Sequence, residues 1–194
     1  LSDGKLIGSC STVQVEIFPL IQNNCIWLGY KTGDMSFKVP QNYEIRETRS
    51  WQDENGQRWR SLGNICWYTN LDIKKRHEDF PLFKKYTPNE YPHYINYDAI
   101  EVSKTENIPY DYDGIMGVPI TFLDKYNPEQ FEIIGIGNGG ELGIECGVSA
   151  NLTAEQCVAL FHEDKSFRRG KLCFRDKNGK LKGCFARVLI RKRQ

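Results

Sequence analysis

Two short patterns within residues 113–140 could do chemistry. Residues 127–131 read Asn-Pro-Glu-Gln-Phe, which is close to Asn-Pro-Pro-Phe, the catalytic tetrapeptide of enzymes that methylate amino groups. In that tetrapeptide the Asn side chain and the next carbonyl accept hydrogen bonds from the amino group, and the aromatic ring stacks on a flipped base. Here Glu129 replaces the second proline and an extra residue precedes Phe131. We therefore expect a turn or a helix start.

The second pattern, Gly135-x-Gly137-x-Gly139-Gly140, is similar to a loop that cradles a phosphate. Such a loop must lead directly from a strand into a helix whose N-terminus faces the ligand. Residues 131–136 predict the strand, but helical spacing is expected to resume only near Thr153, which forms a capping-box pattern with Gln156. A flexible loop is therefore favoured over a cofactor site.

Metal binding and nucleophilic catalysis find little support. The seven cysteines form no Cys-x-x-Cys pair, which favours free thiols in the reducing cytoplasm over disulfides. A zinc site would need ligands without the usual close spacing: Cys146, Cys157, His162, Cys173 and Cys184. The carboxylates of residues 110–114 predict a turn more than a metal site. We predict neither a catalytic residue nor a metal site in this chain.

The elements that must position any site begin with a strand at residues 5–8, a helix from Ser11 and a buried strand at 25–30. This order predicts a βαβ unit with a parallel strand pair. Residues 31–62 predict a polar excursion with a short hairpin and a turn at Asp53–Gly56. No apolar run is long enough to span a bilayer, so no membrane is expected.

The remaining elements are predicted from strand formers, caps and turns. Strands are expected at 64–71, 99–102 and 131–136, and Pro119 predicts a short helix through Tyr126. An Asn-Gly turn predicts a closing β-hairpin of residues 171–175 and 181–190.

The charge distribution indicates a polyanionic partner. The net charge is +1, but residues 165–194 hold twelve Lys or Arg and one acid, so they carry +11 and the remainder carries −10. Neutralising phosphates would supply affinity, although a solvated basic face explains the pattern equally well. We predict phosphate contacts from seven cations: Lys74, Lys75, Arg76, Arg187, Arg191, Lys192 and Arg193.

Aromatic and amide side chains precede the first of these cations. Trp67, Tyr68 and Asn70 could stack a displaced base and bind its edge. Only one of the two aromatic rings can face a pocket, since successive side chains of a strand point to opposite faces. We expect Tyr68 on the wetter face because its hydroxyl favours water, and Trp67 in the core.

Long runs of the sequence resemble the EcoRI-type adenine-specific DNA methyltransferases. These runs, in the same order as in the family, are IFPLIQNNCIWLGY (17–30), LGNICWYTNLDIKKR (62–76), YINYDAIEV (94–102), DYDGIMGVPITFLDKYNPEQFEIIG (111–135) and FARVLIRKR (185–193). The resemblance implies an α/β fold in which a Rossmann-like sheet binds S-adenosylmethionine and a flipped adenine is methylated on its exocyclic amine.

The chain has no Pro-Pro pair and begins without a cofactor loop. The resemblance therefore implies the C-terminal part of such an enzyme, inactive by itself. Residues 1–72 would be the last part of a Rossmann-like sheet, and residues 73–194 a mixed α+β target-recognition region. The implied partners are double-stranded DNA and a separate N-terminal methyltransferase half, in the cytoplasm. The alternative is a stand-alone, non-catalytic nucleic-acid-binding module.

Overall fold

The computed structural model describes residues 5–9, 16–30, 34–44 and 48–193. Within these ranges the fold is mixed α/β, with several sheets and few helices. The strands are β1 (Lys5–Ser9), β2 (Trp27–Leu28), β3 (Asp34–Val39), β4 (Ser50–Gln52), β5 (Arg58–Thr69), β6 (Ile100–Glu101), β7 (Met116–Pro119), β8 (Phe131–Gly137), β9 (Cys173–Arg175), β10 (Leu181–Gly183) and β11 (Arg187–Lys192). The α-helices are α1 (Phe18–Gln22), α2 (Glu141–Glu145) and α3 (Ala154–Glu163). The 3-10 helices span Lys74–His77, Thr105–Asn107 and Ile120–Lys125.

The first sheet is built around the long strand β5. Its C-terminal half lies between β1 and β2 and is antiparallel to both, with Tyr68 opposite Leu6 on one side and Leu28 on the other. The predicted parallel pair is therefore wrong: β1 and β2 run in the same direction, but β5 separates them. The strands expected at 25–30 and 64–71 are confirmed in position, although β2 has two residues and β5 begins at Arg58.

The structure describes only the second half of the segment in which a helix is expected from Ser11. Residues 10–15 lie outside the described residues, and α1 begins at Phe18 with Pro19 in its first turn. Proline is tolerated there because the first amides of a helix have no partner within the helix. Pro19 therefore starts this helix and does not end it.

The polar excursion is confirmed as an antiparallel ribbon. β3 and β4 both pair with the N-terminal half of β5. The turn before β5 forms as predicted: the Gly56 amide donates to the Asp53 carbonyl at 3.0 Å, and Gly56 adopts a φ of 75°. The rings of Trp51 and Trp59, which lie opposite each other on β4 and β5, stack with their centroids 6.4 Å apart.

The second sheet has the order β6-β7-β11-β8. β11 is one of its two inner strands and is antiparallel to β7 and to β8. The apolar run Val188–Ile190 is buried throughout, as a strand covered on both faces requires. The predicted strands at 99–102 and 131–136 are confirmed in position as β6 and β8, and the helix after Pro119 is a 3-10 helix.

The closing hairpin is shorter than predicted. β9 and β10 pair around the Asn-Gly turn, but the expected second strand, 181–190, breaks after Gly183. The second half of the expected strand forms β11, which belongs to the second sheet. The reason is burial: a two-stranded hairpin exposes one face and cannot cover three consecutive apolar side chains.

One hydrophobic core joins the N-terminal and C-terminal parts of the chain. Phe18, Ile26 and Tyr68 belong to the same cluster as Ile100 and Val188. The sheets change near the expected boundary at residue 72, but the packing is continuous across it. The division into 1–72 and 73–194 stays a prediction.

Candidate functional site

The end of β5 places the predicted base-binding residues differently from expectation. Tyr68 is 1% exposed and lies in the main core, whereas Trp67 is half-buried and Asn70 is exposed. The expected faces of the strand are therefore reversed. The reason is packing: the Tyr68 ring lies in the main hydrophobic core with Phe18 and Ile26, and the strand period turns Trp67 to the opposite face of β5.

The three cations after β5 lie in a 3-10 helix and have unequal surroundings. Lys75 forms an ion pair with Asp124, and its Nζ also donates to the Gly29 carbonyl at 3.4 Å. Lys74 is exposed and has no ion pair among the described residues. Of the first two cations, Lys74 is thus the one whose charge is available to a ligand.

Arg76 packs against an aromatic ring. Its guanidinium carbon lies 3.6 Å from the centroid of the Trp27 ring, and its Nη2 donates to Asn24 Oδ1 at 2.9 Å. Burial lowers the pKa of Arg76 below its usual range. These contacts connect the 3-10 helix to β2 and to the turn that precedes it, so Arg76 also stabilises the fold at the edge of the first sheet.

His77 bridges two acidic residues, which was missed at the level of sequence. Its Nε2 lies 2.6 Å from Asp72 Oδ1, and its Nδ1 lies 3.5 Å from Glu129 Oε1. The hydrogen bond to Asp72 is the main cause that raises the pKa of His77, and Glu129 adds to it. The signal was weak, since Glu129 is distant in the chain and only the tertiary fold brings it close.

Arg187 is the most buried of the predicted phosphate ligands. Its Nη2 donates to Glu101 Oε1 at 2.7 Å and its Nε contacts both carboxylate oxygens at 3.1 Å, with side chains 16% and 4% exposed. The Tyr94 hydroxyl also donates to the Glu101 carboxylate, and Cys184 Sγ lies 3.4 Å from Glu101 Oε2. Burial opposes the charged form of Arg187, but Glu101 outweighs it and raises the pKa of Arg187. The Arg187 guanidinium therefore uses its Nε and Nη2 donors within the protein.

Sequence reasoning missed this network although one signal was present. Glu101 lies within the apolar run Ala99–Val102, and a carboxylate buried in such a strand needs a cationic or hydrogen-bonding partner.

The last three predicted phosphate ligands also have partners within the chain. Arg191 Nη2 lies 2.8 Å from Glu132 Oε2, and Lys192 Nζ lies 3.5 Å from Asp113 Oδ1. Arg193 Nε donates to the Pro128 carbonyl at 2.8 Å. Arg191 and Arg193 remain exposed, and their roles toward DNA stay predictions.

The Asn-Pro-Glu-Gln-Phe pattern forms a turn, as expected. Asn127 is fully buried; its Nδ2 donates to Asp79 Oδ1 at 3.0 Å, and its Oδ1 accepts from the Glu129 amide at 2.9 Å. The Asn127 carbonyl accepts from the amides of Gln130 and Phe131. In the catalytic tetrapeptide the Asn side chain would bind the target amino group. In this chain the Asn127 side chain instead forms hydrogen bonds that stabilise the turn before β8.

The glycine pattern leads from β8 into α2 at Glu141, earlier than the predicted helix at Thr153. A Cβ built at Gly135 would lie 2.7 Å from Cys146 Cβ, and one at Gly137 would lie 2.5 Å from Leu172 Cγ. These glycines therefore allow close packing of protein segments. The predicted capping box of Thr153 and Gln156 is confirmed at the start of α3.

The described cysteines and acids form no metal site. The six cysteines that the structure describes are free, and no group of three His, Cys, Asp or Glu within the same ranges could hold a metal ion. Burial raises the pKa of Cys173 to about 12. None of the described helices has the length and hydropathy of a transmembrane span.

Comparisons with known proteins agree with the resemblance of the sequence. The type II methyltransferase M.EcoRI of Escherichia coli is 54% identical over 128 residues, which cover 64% of this chain and 39% of that protein. M.MgeORF184P of Mycoplasma genitalium and M.MpnI of Mycoplasma pneumoniae, both also type II methyltransferases, are 40% and 37% identical over 124 residues. Each match covers 61% of this chain and 39% of the relative. No solved structure matches the chain significantly.

These relatives place the chain among the methyltransferases. The family described as adenine-specific methyltransferase EcoRI matches residues 5–193, nearly the whole chain. The protein therefore belongs to the EcoRI-type adenine-specific methyltransferase family. The segment that it shares with the curated relatives spans about two fifths of their length.

Proposed function

We propose that this chain is the C-terminal, DNA-facing part of an adenine-specific DNA methyltransferase of a restriction-modification system. The observation that carries the proposal is the family match over residues 5–193, combined with an alignment to only 39% of M.EcoRI. The remaining length of such an enzyme would hold the catalytic tetrapeptide. In this chain the nearest pattern begins at Asn127, whose side chain is buried at the start of a turn.

The arrangement of the first sheet supports a Rossmann-like core that is completed by a separate N-terminal half. β1 and β2 run in the same direction on either side of the antiparallel β5, and β5 is the single neighbour of β1 among the described strands. A sheet edge with unpaired amides and carbonyls can accept a further strand. We propose that additional strands pair with β1 in the intact enzyme.

S-adenosylmethionine is the methyl donor that the proposed activity requires. The glycine pattern does not fit it, because the space beside Gly135 and Gly137 is filled by Cys146 and Leu172. We therefore assign no cofactor contact to the described residues and place the main cofactor site in the N-terminal half.

The role of this chain in that enzyme is to hold the DNA target. Trp67 and Asn70 are better placed than the buried Tyr68 to contact a displaced base, since neither is fully buried. Lys74 lies four residues beyond Asn70, is exposed, and can contact a phosphate of the same duplex. Lys75 and Arg76 support it by fixing the 3-10 helix.

Two measurements on the 194-residue chain test the proposal. A fluorescence-anisotropy titration with a labelled DNA duplex should show weak binding that falls steeply with salt. A filter assay with radiolabelled S-adenosylmethionine should show no methyl transfer by the chain alone, and transfer after addition of the N-terminal part of a relative such as M.EcoRI. Robust methylation by the chain alone would refute the assignment. DNA binding without rescued transfer would favour the stand-alone binding module.

A further inference from the structure

The loop after α3 gathers cations around an exposed aromatic ring. Lys165 Nζ lies 4.6 Å and Arg168 Cζ lies 5.3 Å from the centroid of the Phe161 ring, which is 39% exposed. Arg169 follows directly and is exposed. We call these four residues the loop cluster.

The Arg168 guanidinium is held in place by the backbone. Its Nη1 donates to the carbonyls of Lys165 at 2.8 Å and of Phe167 at 2.6 Å. Its Nε and Nη2 have no hydrogen-bond partner among the described residues, and the side chain is exposed. A guanidinium that is already oriented loses less conformational freedom when it binds an anion.

The cations of the loop cluster have no carboxylate partner in the part of the chain that the structure describes, unlike five other cations of the basic C-terminal region. Among the described residues no carboxylate lies within 4.0 Å of the cationic groups of Lys165, Arg168 or Arg169. Asp164 is adjacent, but it accepts hydrogen bonds from the Ser166 amide and hydroxyl. Five other cations in this region are ion-paired: Arg175 with Glu163, Lys182 with Asp176, Arg187 with Glu101, Arg191 with Glu132, and Lys192 with Asp113.

This difference decides which charges a polyanion can use. A cation with a carboxylate partner is largely neutralised, and a phosphate must compete with that carboxylate. Cations gathered on one ring without an acid repel one another, and an approaching phosphate relieves this repulsion while DNA releases its condensed counterions.

We infer that the loop cluster is a phosphate-contacting site for duplex DNA. The inference rests on the proposed function, since the partner is the DNA of that function. It assigns a contact to residues 165–169, which lie outside the predicted phosphate ligands, and it ranks them above the ion-paired cations of β9, β10 and β11.

The test compares two triple variants of the full chain that remove equal charge. The loop variant carries Lys165→Gln, Arg168→Gln and Arg169→Gln. The control carries Lys125→Gln, Arg175→Gln and Lys182→Gln, which are exposed cations with carboxylate partners at 3.6, 2.6 and 3.7 Å. Binding of a labelled duplex is measured by anisotropy over a series of KCl concentrations, and melting temperatures confirm that both variants are folded.

The slope of log affinity against log salt is negative, and it should become shallower in the loop variant. Its magnitude should fall by about 0.9 for each phosphate that the protein no longer neutralises, and therefore by up to about 2.7. The control should lower it by less than about 0.9. A charge-keeping variant, Lys165→Arg with Arg168→Lys and Arg169→Lys, should retain the slope of the unchanged chain.

Several results would overturn the inference. Equal slopes for the loop variant and the control would show that only net charge matters. An equally reduced slope in the charge-keeping variant would mean that local structure, and not charge, is responsible. The same titration is repeated with a labelled single-stranded RNA. A loop variant that binds the DNA duplex normally but binds this RNA weakly would assign the site to RNA. If the unchanged chain binds no duplex, the proposed function fails together with this inference, whereas normal duplex binding by the loop variant refutes the inference alone.

Discussion

Replacing Arg187 by alanine should destabilise the protein far more than replacing Arg191 by alanine, although both residues lie on β11 and both pair with a glutamate. The Arg187–Glu101 pair is nearly buried, with side chains 16% and 4% exposed, whereas the Arg191–Glu132 pair is 48% and 40% exposed. Without Arg187 the Glu101 carboxylate would stay in the core with the Tyr94 hydroxyl and the Cys184 thiol as its remaining polar partners.

The magnitude follows from this difference in burial. Breaking a buried pair by removing one partner costs about 3–5 kcal/mol, because it leaves an uncompensated charge. We expect about 3 kcal/mol for Arg187→Ala, at the lower end, since the hydroxyl of Tyr94 still donates to the carboxylate. An exposed pair contributes about 0–1 kcal/mol, which sets the expectation for Arg191→Ala.

Urea denaturation followed by tryptophan fluorescence and circular dichroism measures both variants. With a slope of about 2 kcal/mol per molar urea, the midpoint should fall by about 1.5 M for Arg187→Ala and by less than about 0.5 M for Arg191→Ala. The double variant Arg187→Met with Glu101→Leu should recover much of the stability, because it removes both charges. Comparable destabilisation of the two alanine variants, or no recovery in the double variant, would refute the reasoning.

Three further predictions use the same chain. Tyr68→Ala should lower the free energy of unfolding by about 3–5 kcal/mol and Trp67→Ala by clearly less, as measured in urea, because only the Tyr68 ring is fully buried. His77→Gln should lower the melting temperature below about pH 6.5, the pKa of an unfolded histidine, and the difference should vanish as pH rises through the higher folded-state pKa, since the charged ring binds Asp72 and Glu129. Gly143→Ala should cost about 1–3 kcal/mol or more in chemical denaturation, because its Cβ would lie 2.1 Å from the Gly170 carbonyl oxygen, whereas at Gly140 the nearest atom would be 3.5 Å away and Gly140→Ala should be tolerated.

The elements that depend on neighbours in sequence were predictable from the sequence. The capping box of Thr153 and Gln156 forms as expected, because both hydrogen bonds close within four residues. The same holds for the turns at Asp53–Gly56 and Asp176–Gly179, whose side-chain and backbone contacts are local. Family membership was also readable, since long ordered runs of residues carry it without any knowledge of the fold.

The pairing order of the strands was not predictable in this way. The sequence order of β1, α1 and β2 favoured a parallel pair, but β5, which follows later in the chain after β3 and β4, lies between the two strands. Strand formers and periodicity indicate that a segment is extended, whereas the partner of each edge depends on which pairing buries the most apolar surface.

Burial and charge pairing were decided by the tertiary structure alone. Tyr68 and Trp67 are both aromatic, and only the tertiary structure, which places the Tyr68 ring in the same core cluster as Phe18, determines that the tyrosine is the one covered. In the same way the basic C-terminal sequence reads as one positive region, yet the fold brings Glu101 to Arg187 and Glu132 to Arg191 from distant segments. Sequence determines how many charges exist and which turns and caps form, but the distance between charges far apart in the chain is set only when the strands pack, and that distance decides which cations remain available to a ligand.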